Sequence, residues 1–262
     1  MVEEKLSVRQ ACKLVSHPRS AMTYQKVHRD DSSLIEALNG LVEKHPSIGF
    51  WKCYYRLRRK GHTCNHKRLY RVYTLLRLNI RRRTKRRVPQ RIKEPLLVPT
   101  GLNMGWSMDF MTDSLVDGRR FRLLNIMDDY NRESLAVEVD TSLPAARVIR
   151  VLERLVEYRG TPQSIRVDNG PEFISERLHG WCEQRNIRLQ FIQPGKPVQN
   201  AFIERKNGSM RKELLDAYLF YSLEDVRLLT EQWRIDYNEE RPHEALGNVP
   251  PAEYLKPLSL DN

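Results

Sequence analysis

Apolar residues in the first third of the chain recur at helical spacing. Leu6, Val8, Cys12 and Val15 predict a short helix over Ser7–Val15, closed by a turn at His17-Pro18. Three more helices are predicted between Asp31 and Ile80. Leu34, Leu38, Leu41 and Val42 form one stripe, with Ser33 and Glu36 at capping-box spacing and His45-Pro46 as the stop. Phe50–Lys60 makes the next helix, ended by Gly61. Asn65 is placed to cap a third, in which Leu69, Val72, Tyr73 and Leu76 fall at i, i+3, i+4 and i+7. Pro89, Pro95 and Pro99 then punctuate a linker that ends at Thr100-Gly101.

The period changes beyond residue 101. Trp106–Met111, Arg119–Met127 and Ser134–Val139 read as strands, and their short connections, one of them the Asp117-Gly118 turn, predict an antiparallel meander. Leu143–Tyr158 returns to helical spacing, with Val148, Val151, Leu152 and Leu155 on one side. After a Gly160-Thr161-Pro162 turn come a fourth strand, Ser164–Val167, a helix, Glu176–Arg185, and a fifth strand, Ile187–Ile192. A loop at Pro194-Gly195-Lys196-Pro197 leads into a long helix, Gln199–Leu219, and a last one, Leu223–Asn238. The fold class expected is α/β, a mixed five-stranded sheet flanked by helices and preceded by a small all-α domain. The expected organisation is a helical segment (1–30), a basic helical domain (31–88), a linker (89–100), the sheet domain (101–241) and a C-terminal extension (242–262).

Charge changes this picture. The 262 residues carry a net charge of +12, and 17 Lys or Arg with no Asp or Glu lie between Phe50 and Lys93. The basic character therefore belongs to one segment, densest at Arg81, Arg82, Arg83, Lys85, Arg86 and Arg87. Such a run fits an anionic partner, DNA above all, although a solvated tail has the same composition. Helix, short turn and helix, with Lys67, Arg68 and Arg71 on an outer face, fits a helix-turn-helix DNA reader; a generic three-helix bundle with a basic surface fits as well. The four cysteines show no paired spacing, which argues against a disulfide framework. Charged residues in Met1–Leu6, with no apolar run after them, lead us to expect no signal peptide, and no stretch approaches a membrane span. The chain is expected to be soluble and intracellular.

Three acids occupy unusual positions. Asp109 interrupts the apolar strand Trp106-Ser107-Met108-Asp109-Phe110, where Asp is disfavoured. If Met108 and Phe110 face one side of the sheet, Asp109 faces the other. Asp168 ends a strand before Asn169-Gly170, and Glu204 lies early in the long helix. Antiparallel packing would bring the three to one point. Each also has an ordinary reading: a turn residue for Asp168, a dipole-favoured helix start for Glu204, an arginine partner for Asp109. Converging carboxylates repel unless cations neutralise them, and hard oxygen ligands suit Mg²⁺ or Mn²⁺. Two such ions about 3.5–4 Å apart can clamp the attacking and leaving oxygens of a phosphoryl transfer.

These blocks carry a resemblance. Trp106-Ser107-Met108-Asp109, Val167-Asp168-Asn169-Gly170-Pro171-Glu172-Phe173 and Gln199-Asn200-Ala201-Phe202-Ile203-Glu204 resemble the integrase core of bacterial insertion-sequence transposases. The 35 residues between Asp168 and Glu204 match the spacing of that Asp-Asp-Glu family, which includes the retroviral integrases. Tyr237-Asn238, Arg241-Pro242-His243 and Pro251-Ala252-Glu253-Tyr254 resemble its C-terminal signature. His45-Pro46-Ser47-Ile48-Gly49 through Lys67-Arg68-Leu69-Tyr70-Arg71-Val72 resembles its N-terminal helical region. The chain is most similar to the second-frame (OrfB) product of two-frame insertion sequences.

The resemblance implies a ribonuclease H-like catalytic core at 101–241. Asp109, Asp168 and Glu204 would be catalytic and would hold two Mg²⁺ or Mn²⁺ ions, with Asp109 shared between them. The activity implied is cleavage at element ends and 3′-hydroxyl strand transfer into target DNA. The implied setting is the bacterial cytoplasm, in a homo-oligomer, with an upstream-frame (OrfA) product that supplies a helix-turn-helix and a zipper. Asn200, Arg205, Lys206 and Arg211, near Glu204, are candidate phosphate contacts, or a solvated basic face. An inactive DNA-binding regulator and a ribonuclease H-like nuclease without strand joining are the competing readings.

Other candidates are weaker. Asp128-Asp129 fits a strand-end turn better than a second metal site. Cys53, His62, Cys64 and His66 lack zinc-site spacing. Trp181 and Trp233 read as packing, and no Gly-rich phosphate loop precedes a helix.

Overall fold

The computed structural model describes residues 7–22, 24, 30–80, 98–193 and 197–255. The basic run Arg81, Arg82, Arg83, Lys85, Arg86 and Arg87 lies outside the described residues.

Two short helices, α1 (Val8–Leu14) and α2 (Arg19–Met22), come first. Ser7 caps α1 with a capping box to Gln10. A three-helix domain follows: α3 (Ser32–Lys44), α4 (Phe50–Arg59) and α5 (His66–Leu75). Its core is Leu34, Leu38, Leu41, Cys53, Leu57, Leu69, Val72 and Tyr73, the predicted stripes turned to face one another. The capping box expected at Ser33 does not form. The helix starts two residues earlier with Asp31 as N-cap, and Asp30 accepts the Ser32 N–H at 2.9 Å instead. Asn65 does cap α5, accepting from the Lys67 N–H at 2.9 Å. Asn65→Ala should cost about 1 kcal/mol of stability, readable as a lower urea midpoint with an unchanged slope.

The sheet contains β1 (Trp106–Ser114), β2 (Arg120–Asp128), β3 (Ser134–Asp140), β4 (Ser164–Val167) and β5 (Arg188–Phe191), in the order β3-β2-β1-β4-β5. The first three form the expected antiparallel meander; β4 runs parallel to β1, and β5 parallel to β4. One face packs on α6 (Ala145–Arg159) and α7 (Glu176–Gln184) through Met108, Leu124, Ile126, Val148, Leu152 and Trp181. The other face carries Met111, Phe121, Leu123 and Val139 against Met210, Leu214, Val226 and Trp233.

That second face is covered by α8 (Ala201–Met210) and α9 (Leu223–Glu239); α10 (Pro251–Tyr254) ends the described chain. The single long helix expected over Gln199–Leu219 is three pieces. A 3₁₀ turn at Pro197–Asn200 precedes α8, and a π-helical turn at Arg211–Leu215 follows it. The wide turn closes with the Asp216 N–H donating to the Arg211 carbonyl at 2.7 Å.

The helical domain docks on the sheet domain through ions. Arg56, only 6% exposed, donates to both oxygens of Asp236 on α9, at 2.8 Å from Nη1 to Oδ1. Glu213 accepts from Lys52 at 3.3 Å, from the Trp233 indole at 3.3 Å and from Arg241. Burial would raise its pKa, but Arg241 and Lys52 more than offset that and hold it below the ordinary Glu value. Arg59 reaches the Glu239 and Glu240 carbonyls and the Glu253 carboxylate.

Candidate active site

Pairing between β1 and β4 sets the site. Trp106 lies opposite Ile165 and Ser107 opposite Arg166. Continuing the same register two residues further puts Asp168 level with Asp109 on adjoining strands, which in a sheet lie about 4.8 Å apart. The strand pair beneath the acids is parallel, not the antiparallel packing expected. Met108 packs into the core under α6 and α7, so the alternation of the strand turns Asp109 to the opposite face, toward α8.

There the Asn207 amide donates to Asp109 Oδ2 at 2.8 Å, and the Phe110 N–H donates to Oδ1 at 2.8 Å. Glu204 precedes Asn207 by three residues, so the same face of α8 carries it toward the strand acids. Burial pushes the Asp109 pKa up to about 6; the Asp168 charge adds to this, and Glu204 adds less.

The loop after Asp168 is tied down. Gly170 donates its N–H to Asp168 Oδ1 at 3.0 Å, and a Cβ there would fall 3.0 Å from the same oxygen, so a larger residue would require that carboxylate to shift. Phe173 stacks on Phe110 with centroids 4.8 Å apart, and Glu172 pairs with Arg122.

The three acids differ from their neighbours in charge pairing. Asp113, Asp129, Glu133, Glu138, Glu172, Glu213 and Asp236 all meet arginines. Among the described residues, Asp109, Asp168 and Glu204 have no salt-bridge partner. Also among the described residues, no three His, Cys, Asp or Glu side chains form a ready-made metal cage. Asp168 and Glu204 both lie near enough to Asp109 for their charges to act on it, and carboxylate oxygens are the donor type that suits a hard divalent cation.

Other expected site residues are distributed differently. Lys206 is not a surface contact. It is 1% exposed, donates to Asn125 Oδ1 at 2.7 Å, and burial pushes its pKa down to about 7. Two residues beyond Glu204 on a helix is the opposite face, which here rests on β2. Asn200 is buried as well, with no partner for its Oδ1 among the described residues. Arg205 is exposed, while Arg211 pairs with Asp113 and the Thr112 carbonyl. Lys67 is exposed; Arg68 and Arg71 both bind Asp31. Asp129 bonds to Ser107 and Arg166, and Asp128 accepts from the Asn103 and Tyr130 N–H groups, so both brace the sheet end. Asn125, which lies opposite Asp109 and under Lys206, was missed; a polar residue within Leu123-Leu124-Asn125-Ile126-Met127 was its only signal.

The sheet order and its helices define a ribonuclease H-like fold, and integrase core domain models match residues 99–197 and 185–251. The chain is 38% identical over 256 residues to a 31.7 kDa protein of insertion element IS407 from Burkholderia multivorans, spanning 97% of this chain and 92% of the relative. It is 38% identical over 250 residues to a 39.2 kDa protein of insertion element IS476 from Xanthomonas euvesicatoria, spanning 95% and 72%. Its fold resembles a chain of the simian T-cell lymphotropic virus intasome solved with the PP2A regulatory subunit B56 gamma, with TM-score 0.51 and 16% identity over 78% of this chain and 72% of that one. The chain belongs to the insertion-sequence transposases that carry an integrase core domain. Among the described residues, no helix is long and apolar enough to cross a membrane.

Proposed function

We propose that the chain is a metal-dependent DNA transposase that cleaves at insertion-sequence ends and joins the 3′-hydroxyl to target DNA. The observation that carries this reading is the grouping of the three acids: Asp109 on β1, Asp168 just past the end of the neighbouring β4, and Glu204 on the facing helix, with both other charges acting on Asp109 and no salt-bridge partner for any of them among the described residues. Asp109, Asp168 and Glu204 would hold two Mg²⁺ or Mn²⁺ ions. When bound, these ions supply Lewis-acid stabilisation of the attacking and leaving oxygens of the phosphodiester. The protein's own part is to fix the donors. Asn207 and the Phe110 N–H aim the Asp109 carboxylate, and the Gly170 turn aims Asp168.

Exposed Arg205 and Lys67 would meet DNA phosphates, and the helical domain would bind along the duplex. Arg68, Arg71 and Arg211 would do so only on exchanging their acidic partners for phosphate. The chain would act in the bacterial cytoplasm as a homo-oligomer, with an upstream-frame product that selects the element ends.

The test is strand transfer with element-end DNA, with and without the upstream product. Joined product is expected in Mg²⁺ or Mn²⁺ and none in EDTA. Hydrolysis without joining would favour a nuclease, and EDTA-insensitive joining would overturn the metal site.

A further inference from the structure

A cleft of about 580 Å³ opens on the far side of α8 from the acids. Its walls include Phe202, Arg205 and Ser209 of α8, then Lys212, Arg132, Tyr237 and the Arg241-Pro242-His243 segment. Helical geometry places Phe202 and Ser209 about half a turn around α8 from Glu204, with Arg205 between them. A strand passing the acids would need to cross only one helix, about 10–12 Å wide, to reach it.

Apart from the Glu213 and exposed Glu244 carboxylates, the lining has two chemistries. One is cationic. Lys52 and Arg241 are matched by Glu213, and Lys206 is turned inward onto Asn125. Arg205 and Lys212 remain, both exposed and without a salt-bridge partner among the described residues. The other is flat and aromatic. The Arg132 guanidinium lies 3.3 Å from the Phe202 ring centroid, and the Tyr237 and His243 rings meet edge to face at 4.6 Å. A phosphate suits the first set, and a nucleobase face suits the second.

The crest of α8 adds an independent observation. Gly208 sits mid-helix, exposed, between Glu204 and Arg205 in angular position, and a Cβ there would meet nothing within 4 Å. Nothing in the packing requires glycine, which weakens a helix by roughly 0.5–1 kcal/mol relative to Ala. What its bare backbone provides is a low saddle between the acids and the cleft.

We infer that this cleft receives one nucleotide of a DNA strand, turned out of its stack, with the phosphate on Arg205 and Lys212 and the base on the Arg132–Phe202 platform. The site rests on the strand-joining reading of the acids, and it gives the Arg241-Pro242-His243 segment a role as a wall of the pocket. Stacking on such a platform tolerates any base sequence and weakens when the base is missing.

The test uses the full chain and a mixed-sequence duplex with a single-stranded overhang, either intact or abasic at each overhang position. The intact overhang should bind at least about fivefold tighter than the abasic one. Phe202→Leu, which keeps the apolar bulk without the ring, should abolish that preference, and Phe202→Trp should keep it. Gly208→Gln should weaken overhang binding while leaving blunt-duplex affinity and the unfolding midpoint unreduced, because the added side chain has open space. Equal binding of intact and abasic overhangs, or a preference unchanged in Phe202→Leu, overturns the pocket alone. Absence of all DNA binding overturns the transposase reading together with the pocket. Displacement of the overhang by micromolar free deoxynucleoside monophosphate would make a free nucleotide the ligand and overturn the assignment to a DNA strand.

Discussion

Asp168→Asn is expected to lower strand cleavage and joining at least about a thousandfold, equivalent to ~4 kcal/mol of transition-state stabilisation, while the fold and DNA binding survive. The substitution keeps shape and removes charge. The Gly170 N–H would still find an oxygen acceptor at the same place, so the turn after β4 should hold. What is lost is the carboxylate just past the end of β4, and with it, on the proposed reading, a ligand to the ions. The measurement is product formed in Mg²⁺ against time, with gel-shift affinity and far-UV circular dichroism as controls. Full activity in Asp168→Asn would remove the trio from the mechanism. Lost activity with lost binding would point instead to a damaged loop.

The second large effect concerns the joint between the two domains. Arg56→Ala should destabilise the protein by about 3–5 kcal/mol, because Asp236 would be left half-buried without its bidentate partner. Burial raises the Asp236 pKa; the Arg56 hydrogen bond and charge more than offset this and hold it below the ordinary Asp value. His45 lies 3.6 Å from the same carboxylate, too weakly placed to replace the fork. The check is chemical unfolding of the single and double variants. Replacing both partners by leucine should cost much less than Arg56→Ala, since no buried charge is then orphaned. An Arg56→Ala loss below ~1 kcal/mol would make the pair an ordinary surface bridge.

Much of this architecture was legible in the residue pattern. The five strands and the helix stripes follow from periodicity, and the acids stood out because Asp109 breaks an apolar strand. The parallel pairing of β1 with β4 was not legible, since sequence gives strands but not which edges meet. Lys206 misled for a related reason. It follows Arg205 in a basic stretch, and only the docking of α8 on β2 shows that its side chain points inward to Asn125. The charge partners of Asp129 and Glu172 are long-range contacts, so an unpaired acid and a paired one look alike until the chain is folded.

The π-helical turn at Arg211–Leu215 joins two stretches of chain with different obligations. Upstream, α8 is phased to the sheet, with Asn207 on Asp109. From within the turn, Glu213 is aimed at Lys52 and Arg241, where the helical domain docks. The extra residue of the wide turn acts as a phase adaptor between the two. Removing one residue there would restore regular α-helix yet rotate one partner set by about 100° relative to the other. Length is therefore more constrained than identity in this turn: it tolerates a conservative exchange at an exposed position, whereas a frame-preserving deletion uncouples the acids from the domain that would present them with DNA.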